Sequence, residues 1–170
     1  MIGIGRHTDY AARIVLHLAS LEQGAHVTAA DISAKRLLPP AFVRRIIGTL
    51  ADAGILRTTR GAGGGVSLAR PAREISLLDV VQAMEGGLVL NACVDTPAAC
   101  PLAVACPVNK AWGDATDVLA ASLGAVRFDR LADSAEQAVA RAGYPNRPRP
   151  ASRAAAPGRG RGTRAEGRRR

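Results

Sequence analysis

Ile55-Leu-Arg-Thr-Thr-Arg60-Gly-Ala-Gly-Gly-Gly65-Val-Ser-Leu-Ala69 is the stretch that decides the fold. Two short β-type runs, Ile55–Thr59 and Val66–Ala69, flank a glycine-rich turn. That arrangement predicts a hairpin. Gly63, Gly64 and Gly65 carry no Cβ, so this turn can approach another surface closely. An ordinary flexible hairpin would also use such glycines. A phosphate-binding loop would need a helix directly after them, whereas Val66–Leu68 looks extended and Pro71 follows.

Upstream, Ala11, Ile14, Val15, Leu18 and Leu21 recur at helical spacing over residues 9–22. Thr28 to Asp31 has the form of a capping box and opens a short helix with Ile32 and Leu37. Pro39-Pro40 stops that helix, and Pro40 suits the first turn of the next. The next helix sets Val43, Ile46, Ile47 and Leu50 on one face and Arg44, Arg45, Gly48 and Thr49 on the other, ending near Gly54. Three helices and then a hairpin is the order of a winged helix-turn-helix. In that fold the third helix enters the major groove and the wing touches the backbone or minor groove. The candidate DNA contacts are Thr28, Pro40, Arg44, Arg45, Arg60, Gly64 and Gly65.

Beyond the hairpin, Ser76-Leu-Leu-Asp79 is a second capping box. It opens a helix with Leu77, Val80, Val81 and Met84 that Gly86-Gly87 ends. Val108 to Leu123 is a long amphipathic run with Ala111, Ala115, Val118, Leu119 and Leu123 on one side. A long, small-residue-rich helix behind a compact DNA reader suits a homodimer interface; it could instead fold back on its own subunit. A short helix from Phe128 to Ala142 closes the body, ended by Gly143. The expected fold class is therefore mainly α, a winged helix-turn-helix domain with a long C-terminal dimerisation helix. The expected divisions are 1–86 for DNA reading and 87–143 for the cysteine loop and dimer helices, with 144–170 a disordered Arg-rich tail.

The 170 residues carry a net charge of +9, most of it in that tail. Pro145 to Arg170 holds nine Arg and one Glu, a net of +8, which leaves about +1 for the rest. The tail has many Pro and Gly and no apolar periodicity, so it cannot repay the entropy of ordering. It reads as non-specific phosphate attraction or as a solvated extension.

Three cysteines, Cys93, Cys100 and Cys106, lie within one Pro- and Ala-rich loop, and the chain has no others. Six residues separate the first pair and five the second. Three soft thiols on a flexible loop suit a metal or an iron–sulfur cluster that takes one further ligand from elsewhere. One disulfide with a spare thiol, or three small apolar residues, are the plainer readings. The N-terminal stretch is too short and polar for a secretory signal, and no run of 18 apolar residues occurs. A cytoplasmic protein with no membrane partner is expected. His7, His17 and His26 show no catalytic pairing and no serine-nucleophile motif is present, so an enzyme is not expected.

Taken together, these pieces resemble the IscR/NsrR family of iron–sulfur winged-helix transcription regulators. The matching segments are Thr8–Arg13, Leu50–Ala69, Ile75–Gly86 and the three-cysteine loop, covering about residues 5–135. The resemblance implies a homodimeric repressor or activator binding double-stranded DNA, with a 2Fe-2S or 4Fe-4S cluster that senses nitric oxide, redox state or iron. It implies Cys93, Cys100 and Cys106 as metal ligands, the third helix as recognition helix and Arg60 as a wing contact. Members resembling IscR often carry a His three residues after the last cysteine, where this chain has Asn109. Members resembling NsrR take an Asp from the partner subunit, and the matching residue is Asp9. The fourth ligand is thus Asp9, an exogenous group, Asn109 or His7. Arg44 stands where IscR-like proteins carry a carboxylate, so the operator need not match theirs. The competing function is a cluster-free, non-specific nucleic-acid binder driven by the Arg-rich tail.

Overall fold

The computed structural model describes residues 3–61 and 63–141; the Arg-rich tail of 144–170 lies outside the described residues. Helix α1 spans Arg6–Ala19, α2 Ala29–Arg36 and α3 Pro40–Asp52. Strands β1, Leu56–Thr59, and β2, Gly65–Leu68, form the hairpin. Helix α4, Leu77–Glu85, follows, then a loop holding the short α5, Ala92–Asp95. The long α6, Pro107–Ala125, and α7, Phe128–Arg141, complete the chain.

Both capping boxes form. The Thr28 hydroxyl oxygen accepts from the Asp31 amide at 3.1 Å, and Asp31 accepts from the Thr28 amide at 3.4 Å. Ser76 and Asp79 make the same exchange at 3.1 and 2.7 Å. Such boxes satisfy amides that the first helical turn leaves without partners. The hydrogen bond from the Thr28 hydroxyl holds the Asp31 carboxyl below its ordinary value. A carboxyl lowered on folding stabilises above its unfolded pKa, so this cap is lost only as acid protonates Asp31.

Helix α1 begins at residue 6 rather than 9 and ends at 19 rather than 22. Its start has no local side-chain cap. The cap comes instead from Glu85, at the far end of α4, which accepts from the Gly5 amide at 3.2 Å and from the Thr8 hydroxyl. Leu21 falls beyond the helix yet still packs on the core.

Leu37 departs from the expectation that it extends the apolar face of α2. It is the C-cap residue, in the left-handed region at φ 54°, and is 90% exposed, while Leu38 is buried. Ser33 causes the exchange. Its carbonyl accepts from the Leu38 amide at 3.0 Å, and its hydroxyl donates to the Leu38 carbonyl at 2.5 Å. Closing that loop leaves left-handed backbone as the route for residue 37, which for a Cβ-bearing residue costs about 1 kcal/mol or more.

In the hairpin, Leu56 pairs with Leu68, Arg57 with Ser67, Thr58 with Val66 and Thr59 with Gly65, antiparallel. Val27 adds a bridge to the outer side of β2, giving and receiving hydrogen bonds with Val66 at 3.1 and 2.8 Å. Two wing glycines are required by this packing itself. A Cβ on Gly64 would lie 2.1 Å from the Thr59 carbonyl oxygen, and one on Gly65 would lie 2.8 Å from that of Val27.

The core gathers Ala11, Ile14 and Val15 of α1, Val43, Ile46 and Leu50 of α3, Ile55, Ile75, Val80 of α4 and Phe128 of α7. Each fully buried Ile, Leu or Phe contributes about 1.5–3 kcal/mol of transfer free energy. The junction before α7 is fixed to the start of α4: Leu77 donates to Val126 at 2.9 Å and Phe128 to Ile75 at 3.1 Å. Helix α6 packs on α4, with Gly124 beside the Leu78 side chain, and on α5, and its Thr116 hydroxyl accepts from the Leu90 amide at 3.4 Å. Leu119 and Leu123 of the expected apolar side are half-buried, while Ala111, Ala115 and Val118 face solvent.

Two substitutions at these turns should act in opposite directions. Leu37→Gly removes the left-handed strain and gives up no burial, so urea denaturation should show a gain of about 0.5–1 kcal/mol. Gly64→Ala should destabilise by about 1–3 kcal/mol through overpacking against the Thr59 carbonyl, read by the same titration.

Candidate nucleic-acid interface and cysteine loop

The candidate reading face is built by α3. Pro40 occupies its first turn, where the missing amide is no loss. Val43, Ile46, Ile47 and Leu50 are buried, and this forces Arg44, Arg45 and Gly48 outward. Among the described residues no ion pair engages Arg44, Arg45 or Arg60, so all three cations are available to an anionic partner. Thr28, at the start of α2, is exposed, but its hydroxyl already serves the cap, donating to Asp31 at 2.8 Å. Arg60 follows β1 at the tip side of the wing and is exposed. Gly64 and Gly65 are half-buried and have the intramolecular reason given above.

Three features of this region leave no mark in the sequence pattern. Arg57 is exposed on β1 opposite Ser67 and adds a cation to the wing. Phe42 leans on His7 with ring centroids 4.9 Å apart and on Tyr10 at 6.5 Å, so the start of α3 rests on the start of α1. Buried His17 of α1 approaches Arg36 of α2, Nδ1 to Nη2, at 3.3 Å. Each joins residues from separate elements, which no periodic pattern reveals.

The loop between α4 and α6 is a chain of short turns. Cys93 lies within α5, Cys100 follows a 3-10 turn at Pro97–Ala99, and Cys106 is the N-cap of α6 after a second turn at Ala103–Ala105. All three are free thiols and half-buried. The disulfide reading is therefore not the arrangement adopted. Asn91 accepts from the Cys93 amide at 3.3 Å, and the Asn109 side chain donates to the Cys93 carbonyl at 2.7 Å. Asn109 thus fastens the loop to α6 through its amide.

The loop holds the thiols on one segment without drawing them together. Among the described residues, no three His, Cys, Asp or Glu side chains gather as metal ligands would. The donor chemistry nonetheless fits an iron–sulfur cluster, with three free thiols on a loop of short turns. Asp9 lies apart from them on the first turn of α1, exposed and ion-paired to Arg13 at 2.9 Å. His7 is engaged with Phe42. Among the described residues no helix is long and apolar enough to cross a membrane.

Comparison with known proteins agrees with this architecture. A protein of Mycobacterium tuberculosis described as an HTH-type transcriptional regulator is 38% identical over 80 residues, 47% of this chain and 50% of that protein. The match therefore spans half the length of that relative. CymR, the global cysteine regulator of B. subtilis, superposes with a TM-score of 0.64 at 21% identity, covering 79% of this chain and 98% of CymR. T. potens IscR gives 0.63 at 22% identity, covering 80% and 90%. At those identities the two structures establish the fold alone. The family model described as Rrf2, iron-dependent transcriptional regulator, matches residues 4–134, and the chain belongs to the Rrf2 family.

Proposed function

We propose that this chain is a cytoplasmic, homodimeric repressor of transcription whose hold on DNA is set by an iron–sulfur cluster on Cys93, Cys100 and Cys106. The observation that carries this reading is the place of the three free, half-buried thiols. They occupy the one loop that joins the last helix of the reading domain, α4, to the long helix α6. Residues 1–86 read DNA, 87–143 hold the cluster and the dimer contact, and the basic tail of 144–170 adds non-specific attraction to phosphate.

On DNA, α3 enters the major groove with Arg44 and Arg45. The start of α2, at Thr28, faces the phosphate backbone, where helix N-termini favour anions, and Pro40 opens α3 where that helix enters the groove. Arg60 and the glycines of the wing lie along the backbone or minor groove. The exposed Val108, Ala111, Ala115 and Val118 of α6 meet their counterparts across a two-fold axis. An Arg13 pair half-open to water is worth well under about 1 kcal/mol, so Asp9 is free to leave it and serve as an oxygen ligand to a partner subunit.

A bound cluster would supply a centre that reacts with nitric oxide and oxidants. Drawing the three thiols together shortens the tether between α4 and α6, and α4 carries the Glu85 cap of α1. Loop closure, the dimer axis and the reading domain thereby share one set of struts. A coupling of about 1–3 kcal/mol, five- to 150-fold in affinity, suffices for a switch. Nitric oxide is favoured as the signal because a carboxylate oxygen is a weak, displaceable ligand.

Anaerobic purification should yield a coloured protein with cluster mass on a dimer, and each single Cys→Ser variant should lose the chromophore. Asp9→Ala should retain a more labile chromophore while operator affinity stops following cluster state. In a nitric oxide titration, absorbance and operator binding should fall together. Slow bleaching with unchanged binding would replace nitric oxide by iron or redox as the signal.

Arg60→Ala should weaken operator binding by about 1–3 kcal/mol with fold and dimer intact. A loss of only a few tenths would remove Arg60 from the interface.

A further inference from the structure

The leading edge of α3 is unusual for a surface meant to meet nucleic acid. From residue 37 to 41 it reads Leu-Leu-Pro-Pro-Ala, with no side-chain hydrogen-bonding group. Leu38 is buried, whereas Leu37, Pro39, Pro40 and Ala41 are all exposed. The first polar side chains of α3 are Arg44 and Arg45, one turn further on. In helix-turn-helix readers the start of the recognition helix is the part that reaches base edges. Here that part can read bases only by apolar contact. The major groove offers one apolar group for this purpose, the C5-methyl of thymine.

Leu37 sharpens the point. It is the one non-glycine residue among the described residues with positive φ, and it is 90% exposed. The fold gains nothing from a leucine there. The Ser33–Leu38 clamp fixes its direction, and glycine would suit the backbone better. Strained backbone bearing an exposed apolar side chain is a feature that a contact with a partner explains. Charge selects the partner: exposed Lys35 precedes this edge, and Arg44 and Arg45 follow it. That is an apolar contact framed by phosphate-seeking cations, and it matches duplex DNA. Phe42, resting on His7 and Tyr10, steadies the turn that presents it.

We propose that Leu37, Pro40 and Ala41 form an apolar edge that selects thymine through its C5-methyl group. The proposal rests on the DNA-reading function above and adds what is read. The test begins by selecting binding sites from a random duplex pool with the full chain. Each thymine of the selected site is then replaced singly by deoxyuridine, which removes the methyl group alone. At one or two positions per half-site the replacement should weaken binding about fourfold, the worth of one methyl group buried. Leu37→Gly, and Leu37→Asn as a second variant suited to left-handed backbone, should bind the thymine and uracil duplexes equally at one of those positions. Equal affinity of the unaltered protein for both duplexes at every position overturns the proposal and leaves sequence-specific reading intact. Undiminished uracil sensitivity in both Leu37 variants also overturns it. Failure to select any sequence removes the DNA-reading function and this proposal together.

Discussion

The burial of α1 is the constraint on which the rest of the molecule depends. Ala11, Ile14 and Val15 are fully buried, enclosed by α3, α4, α7 and the neighbouring α2. A helix covered on so many sides has little freedom to slide, because packed interiors respond to small changes in volume. The hairpin hangs from the same core through Ile55, Leu56 and Val66. Phe128 closes it from the C-terminal side, so the last helix helps hold the first in place.

From that fixed centre α3 and the helix leading into the cysteine loop are reached by short connections. The start of α3 touches the start of α1 through Phe42, His7 and Tyr10. The end of α4 touches it through Glu85, Gly5 and Thr8. The start of α1 is therefore shared by α3 and by α4, the helix that leads into the cysteine loop. Asp9 sits on the first turn of α1. The contacts that join these elements at α1 are made by packed side chains and hydrogen bonds.

The wing illustrates how a single residue type answers two demands. Gly64 and Gly65 look like an adaptation to close approach by DNA. Their immediate reason is internal, since the Thr59 and Val27 carbonyls leave no room for a Cβ. The hairpin thereby holds a defined shape before any partner arrives, which lowers the entropy lost on binding. Strain is accepted elsewhere: Leu37 occupies left-handed backbone because Ser33 and Leu38 close their loop around it.

What the sequence determined by itself is what short-range physics controls. The capping boxes at Thr28 and Ser76, the proline boundary at residues 39 and 40, the buried face of α3 and the hairpin all rest on groups a few residues apart. The order of those elements gave the winged helix-turn-helix, and the spacing of Cys93, Cys100 and Cys106 marked the loop. Tertiary structure alone decided the rest. Glu85 accepts from the amide of Gly5, the N-cap of α1 and 80 residues earlier in the chain. Contact with α4 divided the apolar side of α6 into a packed edge and an exposed one. Sequence spacing put the three thiols on one segment, but a loop's length does not fix its path. Whether they converge depends on what the turns between them pack against, and those partners are distant in the chain.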